Sequence, residues 1–169
     1  MEFFSGAHLH LLVNHVPILG AVFALALLVA SYVYAGDVLR RTAFVVLIVT
    51  ALGAVASDYS GDAAEDAVRG FPGVHRDQIH AHEAMADKAY IASGILAVLA
   101  LGALVRWRGS PIPGGATIVM LVGTVVVSGL MAYTGLLGGQ VRHSEVRPGA
   151  VPGDATVIEP PRARRPAPQ

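Results

Sequence analysis

The chain has 169 residues, 54% of them hydrophobic and 14% charged, with a formal net charge of zero. This composition excludes an ordinary soluble domain, and the lack of a basic stripe excludes a nucleic-acid partner. With no cysteine in the chain, disulfides, thiolate metal sites, iron–sulfur clusters and the C-x-x-C-H attachment of a c-type haem are also excluded, so any haem is held non-covalently.

Four runs carry no Asp, Glu, Lys or Arg: residues 3–36, 42–57, 89–105 and 109–141. A helix needs about 20 apolar residues to cross roughly 30 Å of hydrocarbon. The runs therefore predict helices over 15–36, 39–57, 82–105 and 115–135. The expected fold is all-α, an integral membrane four-helix bundle running up-down-up-down. It divides into a transmembrane domain, 1–141, and a Pro/Arg-rich extended tail, 142–169, that cannot build a core.

The first run opens on HLHLLVNHVPILG, residues 8–20. It is longer than a secretory h-region and has no Lys or Arg before it, so it reads as retained. Pro17 removes a backbone donor and crowds the carbonyl of Val13. Either the helix kinks there, stacking His8 above His15, or it starts near Asn14 and leaves His8 and His10 on an interfacial segment. The second span borders Arg40 and Arg41, whose stems can snorkel to the headgroups. These two, with Arg106 and Arg108, occupy the short turns, which the positive-inside rule places in the cytoplasm. Both termini and the 58–81 connection then face the periplasm of a bacterial inner membrane. In that connection, Asp62 and Glu65 suggest the cap of a short extramembrane helix that Gly70, Pro72 and Gly73 end. Beyond the fourth span, Gly135, Gly138 and Gly139 permit the chain to leave the helix and carry Arg142 and His143 over the bundle mouth.

All seven histidines fall on the outer side. His8, His10, His75 and His80 read as solvated or interfacial. His15 and His82 are distinguished by depth: measured from the cytoplasmic ends of their helices, they differ in height by only about 5 Å. Their helices run in the same direction, so both rings can turn inward at one level, where an ionisable group is costly without a partner. Two axial imidazoles are what one six-coordinate haem b requires. Ala86, Ala89, Ser93, Gly53, Ala54, Ala56, Gly123 and Gly129 leave room for a macrocycle, or for close helix packing. Arg69, Arg76, Arg142 and His143 are on the correct side to meet propionates. Asn14 can orient a ligand or cap the helix. The plainer alternative is a pair of neutral histidines bonded to backbone carbonyls.

HLHLLVNHVPILG, GDAAEDAV followed by IHAHE, and TGLLGGQVRHSEVR resemble, across residues 8–147, small bacterial four-helix inner-membrane proteins grouped as a domain of unknown function. The resemblance implies a b-type cytochrome or a subunit beside a respiratory complex, with His15, His82, Glu83 and His143 at the matching positions. A more distant likeness is to b-type cytochromes with paired haems. Here no histidine lies near the cytoplasmic ends, so one haem near the outer face is expected, exchanging electrons with a periplasmic carrier, a quinol or a membrane-protein partner.

Two other readings compete. His15, His82 and His143 with Glu83, Asp58 or Glu65 suit a copper, iron or zinc ion, and Met85 or Met131 suits His/Met ligation or Cu(I). An accessory subunit of a larger complex fits the neutral charge and the tail. No nucleophile elbow or phosphate loop supports a stand-alone enzyme.

Overall fold

The computed structural model describes residues 5–34 and 36–150. The tail beyond residue 150 lies outside the described residues, as do residues 1–4 and 35. The elements are α1 (Gly6–Val13), α2 (His15–Val33), α3 (Asp37–Val68), α4 (Arg76–Arg106), α5 (Gly114–Arg142) and a 3-10 turn (Ser144–Val146). Among the described residues there is no strand. The fold is an all-α four-helix bundle, and α1 with α2, α3, α4 and α5 are each long and apolar enough to cross a membrane.

Each helix packs on its neighbours in sequence and α5 closes on α2, so α2 and α4 lie on a diagonal. Inward positions recur at spacings of three and four, as in a left-handed bundle. On α2 the stripe is Pro17, Ala21, Ala24, Leu28 and Ser31. On α3 it includes Ala43, Leu47, Thr50 and Ala54. On α4 it includes Ala89, Ser93, Leu96, Ala100 and Ala103. On α5 it is Thr117, Met120, Thr124, Val127 and Met131. The buried hydroxyls back-bond to carbonyls of their own helices, as from Thr50 to Val46 at 2.8 Å and from Thr124 to Met120 at 2.7 Å. Each of these two hydroxyls thereby satisfies its own hydrogen in an apolar interior. Val22, Phe23, Leu101, Val105 and Val122 face outward and exposed, as suits surroundings that are themselves apolar.

Small residues mark close helix approaches. A side chain added at Gly53 would meet Val16 Cγ1 at 2.7 Å, and one at Gly123 would meet Leu96 Cδ1 at 2.7 Å. Gly53→Val is expected to destabilise the bundle by about 1–3 kcal/mol through overpacking. Gly102→Val, with open space beside it, is expected to change little. Denaturant unfolding in micelles, followed by circular dichroism, separates the two.

The end of the bundle holding the α2–α3 and α4–α5 turns is tied by one carboxylate. Asp37 accepts from Arg41 Nε at 2.6 Å and from the backbone N–H of Ile112 at 2.7 Å. Arg41 also donates to the carbonyls of Trp107 (2.7 Å) and Ser110 (2.8 Å), and Arg40 donates to that of Ile112 at 2.9 Å. The two arginines expected to reach for headgroups instead bind the two turns together.

The opposite, hairpin end departs from the sequence expectation. α3 has no separate short helix after it; it runs unbroken through Asp62 and Glu65 to Val68. The lone Gly61 costs only about 1 kcal/mol in a helix, and Ala and Glu around it favour one. The expected stop is real, with Gly70 and Gly73 at positive φ. α5 likewise continues through Gly135, Gly138 and Gly139 to Arg142; Gly135 sits against Ile18 and Gly138 against His82, while Gly139 has open space beside it. At about 1.5 Å per residue α3 is about 48 Å long, well beyond roughly 30 Å of hydrocarbon. The first residues assigned to the tail are also anchored: Arg147 donates to the carbonyls of Gln140 at 2.9 Å and Gly73 at 2.7 Å.

Candidate functional site

Following the inward stripes towards the hairpin end, the residues change character. Stepping back from Pro17 by three and then four gives Asn14 and His10. On α3 the stripe reaches Ser57 and Gly61, on α4 His82, and on α5 Thr134 and Gly138. All seven are partly buried, so the last layer of the bundle interior is polar.

At its centre two imidazoles meet. The rings of His10 and His82 have centroids 6.5 Å apart and planes at 89°. The ring beside His82 is therefore not that of His15, the partner expected from depth. Asn14 keeps right-handed helical backbone and its N–H bonds the carbonyl of His10 at 2.9 Å. α1 therefore enters α2 as a kinked continuation. Five residues along such a helix turn a side chain about 140°, so with His10 inward His15 points out. His15 is exposed and its Nδ1 donates to the carbonyl of Leu11, 2.8 Å away in its own helix. His8 is exposed and bonded to Ser5 Oγ at 2.8 Å.

The hydrogen bonds indicate which nitrogen of each inward ring donates. His10 Nδ1 lies 3.0 Å from the carbonyl oxygen of Ser57 and 3.1 Å from Ser60 Oγ, and that hydroxyl already donates to Ser57. His82 Nδ1 lies 3.0 Å from the carbonyl oxygen of Thr134. A carbonyl can only accept, so both Nδ1 atoms donate, and in the neutral form of each ring the lone pair lies on Nε2. Ring nitrogens point in nearly opposite directions. Each Nε2 is thus on the far side of its ring from the carbonyl that holds it, Ser57 on α3 and Thr134 on α5. Neither neutral ring has an N–H to give to the other.

That arrangement is the one used to orient metal-bound histidines, in which Nδ1–H is held by a carbonyl and Nε2 is free to coordinate. The spacing also fits. With a metal–nitrogen bond of about 2.1 Å and a ring radius of about 1.1 Å, a metal held between two rings would need their centroids about 6.4 Å apart, against 6.5 Å for His10 and His82.

Around the pair, buried polar atoms lack partners: Asn14 Oδ1, one turn below His10, Ser57 Oγ beside it, and Gln78 Oε1, one turn above His82. Asn14 makes no side-chain cap bond to α2. Arg142 lies with its guanidinium carbon 5.2 Å from the centre of the Phe71 ring. His143 is exposed and its Nδ1 is 2.9 Å from Glu145. Glu145 accepts from its own backbone N–H and from His143, which holds its carboxyl below the ordinary range. Met131 is buried one turn inward from Thr134.

The wider ion shell expected from His15, His82, His143 and a carboxylate is not brought together. Glu83 pairs with His80 at 3.1 Å and Glu65 with Arg69 at 2.6 Å. Among the described residues no three His, Asp or Glu side chains converge as a metal-ion shell. An apolar groove of about 520 Å³ between α3 and α4 opens outward and contains none of the histidines.

Of this inward layer the sequence expectation placed Asn14 and His82 in the candidate site, but not His10, Ser57, Thr134 or Gly138. The signal for His10 was the three-and-four spacing from Leu28 back through Ala24, Ala21 and Pro17, which passes through residue 10 and misses 15. Compared with models of known protein families, with curated proteins and with solved structures, the chain finds no match.

Proposed function

We propose that the chain is a membrane b-type cytochrome holding one haem b between His10 and His82 near the periplasmic face of a bacterial inner membrane. It acts in electron transfer beside a respiratory-type partner or a periplasmic carrier. The observation that carries this reading is the pair itself: perpendicular rings 6.5 Å apart, each with Nδ1–H engaged by a backbone carbonyl. When bound, haem supplies a one-electron iron couple.

The chain's own groups do the rest. The Ser57 and Thr134 carbonyls hold both ring tautomers and raise the basicity of the ligating nitrogens. Ala54, Ala89 and Met131 make an apolar floor that keeps water from the inner side, a lever on reduction potential. Arg142, one turn beyond Gly138, is the cation along α5 best placed in register to meet a propionate, and Asn14 and Gln78 offer amides that lack partners. Arg40, Arg41, Arg106 and Arg108 support a cytoplasmic location for the turns.

The test is a reduced-minus-oxidised spectrum of the purified chain with elemental analysis. Sharp α and β bands at one haem per chain are the expected result. Copper or zinc without bands would move the same two imidazoles to a bare-ion site, and neither metal nor bands would leave an accessory scaffold.

A further inference from the structure

We infer that Gly138 is the positioning residue for His82: by lacking a Cβ it lets the imidazole reach the Thr134 carbonyl, and so selects which ring nitrogen coordinates. The functional half of this statement rests on the cytochrome reading; the positioning half does not.

Within α5 the carbonyl of Thr134 sits one turn before Gly138 and, in helical geometry, accepts the N–H of that glycine. Its second lone pair takes the Nδ1–H of His82 at 3.0 Å. The ring therefore approaches over the position a Cβ of residue 138 would occupy. Such an atom would lie 3.0 Å from Cε1, 3.2 Å from Nδ1 and 3.6 Å from Nε2 of His82. The first two distances are tighter than side-chain contacts normally allow. The ring would have to give by a few tenths of an ångström, lengthening its 3.0 Å bond to Thr134. The threonine side chain takes no part, since its hydroxyl donates to Leu130 at 2.8 Å. As that bond weakens, the preference for a proton on Nδ1 weakens with it, and a ring protonated on Nε2 cannot coordinate there.

Neighbouring glycines provide the comparison. A Cβ at Gly135 would meet only Ile18 Cδ1, at 3.3 Å, and one at Gly129 would meet nothing within 4 Å. Both lie on the same helix as Gly138, so helix propensity and bundle packing are shared while the contact with His82 is not.

The experiment uses the full chain in detergent, comparing Gly138→Ala with Gly135→Ala and Gly129→Ala. Haem titration is combined with nitrogen NMR of histidine-labelled, haem-free protein. Gly138→Ala is expected to lower haem affinity about 10- to 100-fold, the usual effect of losing a group that orients a ligand. It is also expected to shift the His82 nitrogens away from the Nδ1–H pattern. Gly135→Ala and Gly129→Ala are expected to keep both. Should Gly138→Ala fold poorly, a double-mutant cycle decides: its destabilisation should vanish in the His82→Ala background, where no ring is displaced. Unchanged His82 nitrogen shifts, or a cost that persists without His82, would overturn the inference. A wild-type chain that takes up no haem, but whose His82 shifts respond to Gly138→Ala, would sink the cytochrome and leave the positioning role standing.

Discussion

His10→Ala and His82→Ala are each expected to abolish haem binding, while His15→Ala keeps it. Losing a group that merely orients a ligand costs about 10- to 100-fold in metal affinity, so removing the ligand itself should take occupancy below detection in the purified protein. His15 serves as the internal control because it lies on the same run, five residues on, with the same bond from Nδ1 to a carbonyl, here that of Leu11. The difference is direction alone: His10 faces the bundle interior and His15 is exposed. Difference spectra of the three variants at equal protein decide the matter. Retention in His10→Ala with loss in His15→Ala would restore the pairing expected from depth.

The second large effect is expected at the other end of the molecule. Asp37→Ala should destabilise the bundle by about 2–3 kcal/mol, most of it from orphaning the N–H of Ile112. Ile112 is 1% exposed, so water cannot replace the 2.7 Å bond it loses. The ion pair with Arg41 adds little, because both side chains are 30% exposed and solvent screens such pairs. Asp37→Asn keeps an acceptor for Ile112 and should lose only a fraction of that stability. Unfolding in mixed micelles measures both. Equal losses for Ala and Asn would place the stabilisation in the charge and contradict this account.

How much was legible in the sequence depended on which force set each feature. The four spans could be read because hydrocarbon imposes a length and excludes charge. Their hairpin-end limits could not, because past the membrane surface the helices continue for local reasons. α3 keeps winding through the Ala-rich, acidic stretch before Val68, and α5 keeps winding where Gly135 and Gly138 sit against Ile18 and His82. Glycines that read as an exit were sites of close approach.

The same distinction governs the site. His82 could be picked out by depth and lies on an inward stripe. His15 matched it in depth, but depth fixes height along a helix and says nothing about direction around it. The direction was encoded in the spacing Leu28, Ala24, Ala21, Pro17, which leads back to Asn14 and His10. Pro17 hid it by suggesting a break. Asn14 instead carries the helix on, so the phase survives the kink. The carbonyl partners, Ser57 and Thr134, belong to helices distant in sequence and could be found only in three dimensions.

Electron paramagnetic resonance of the oxidised, haem-loaded protein tests the two-imidazole grip most directly. Perpendicular ring planes, 89° apart, should give a strongly anisotropic low-spin ferric signal from a single iron per chain. A high-spin signal, or a folded chain that carries no iron at all, would contradict the account.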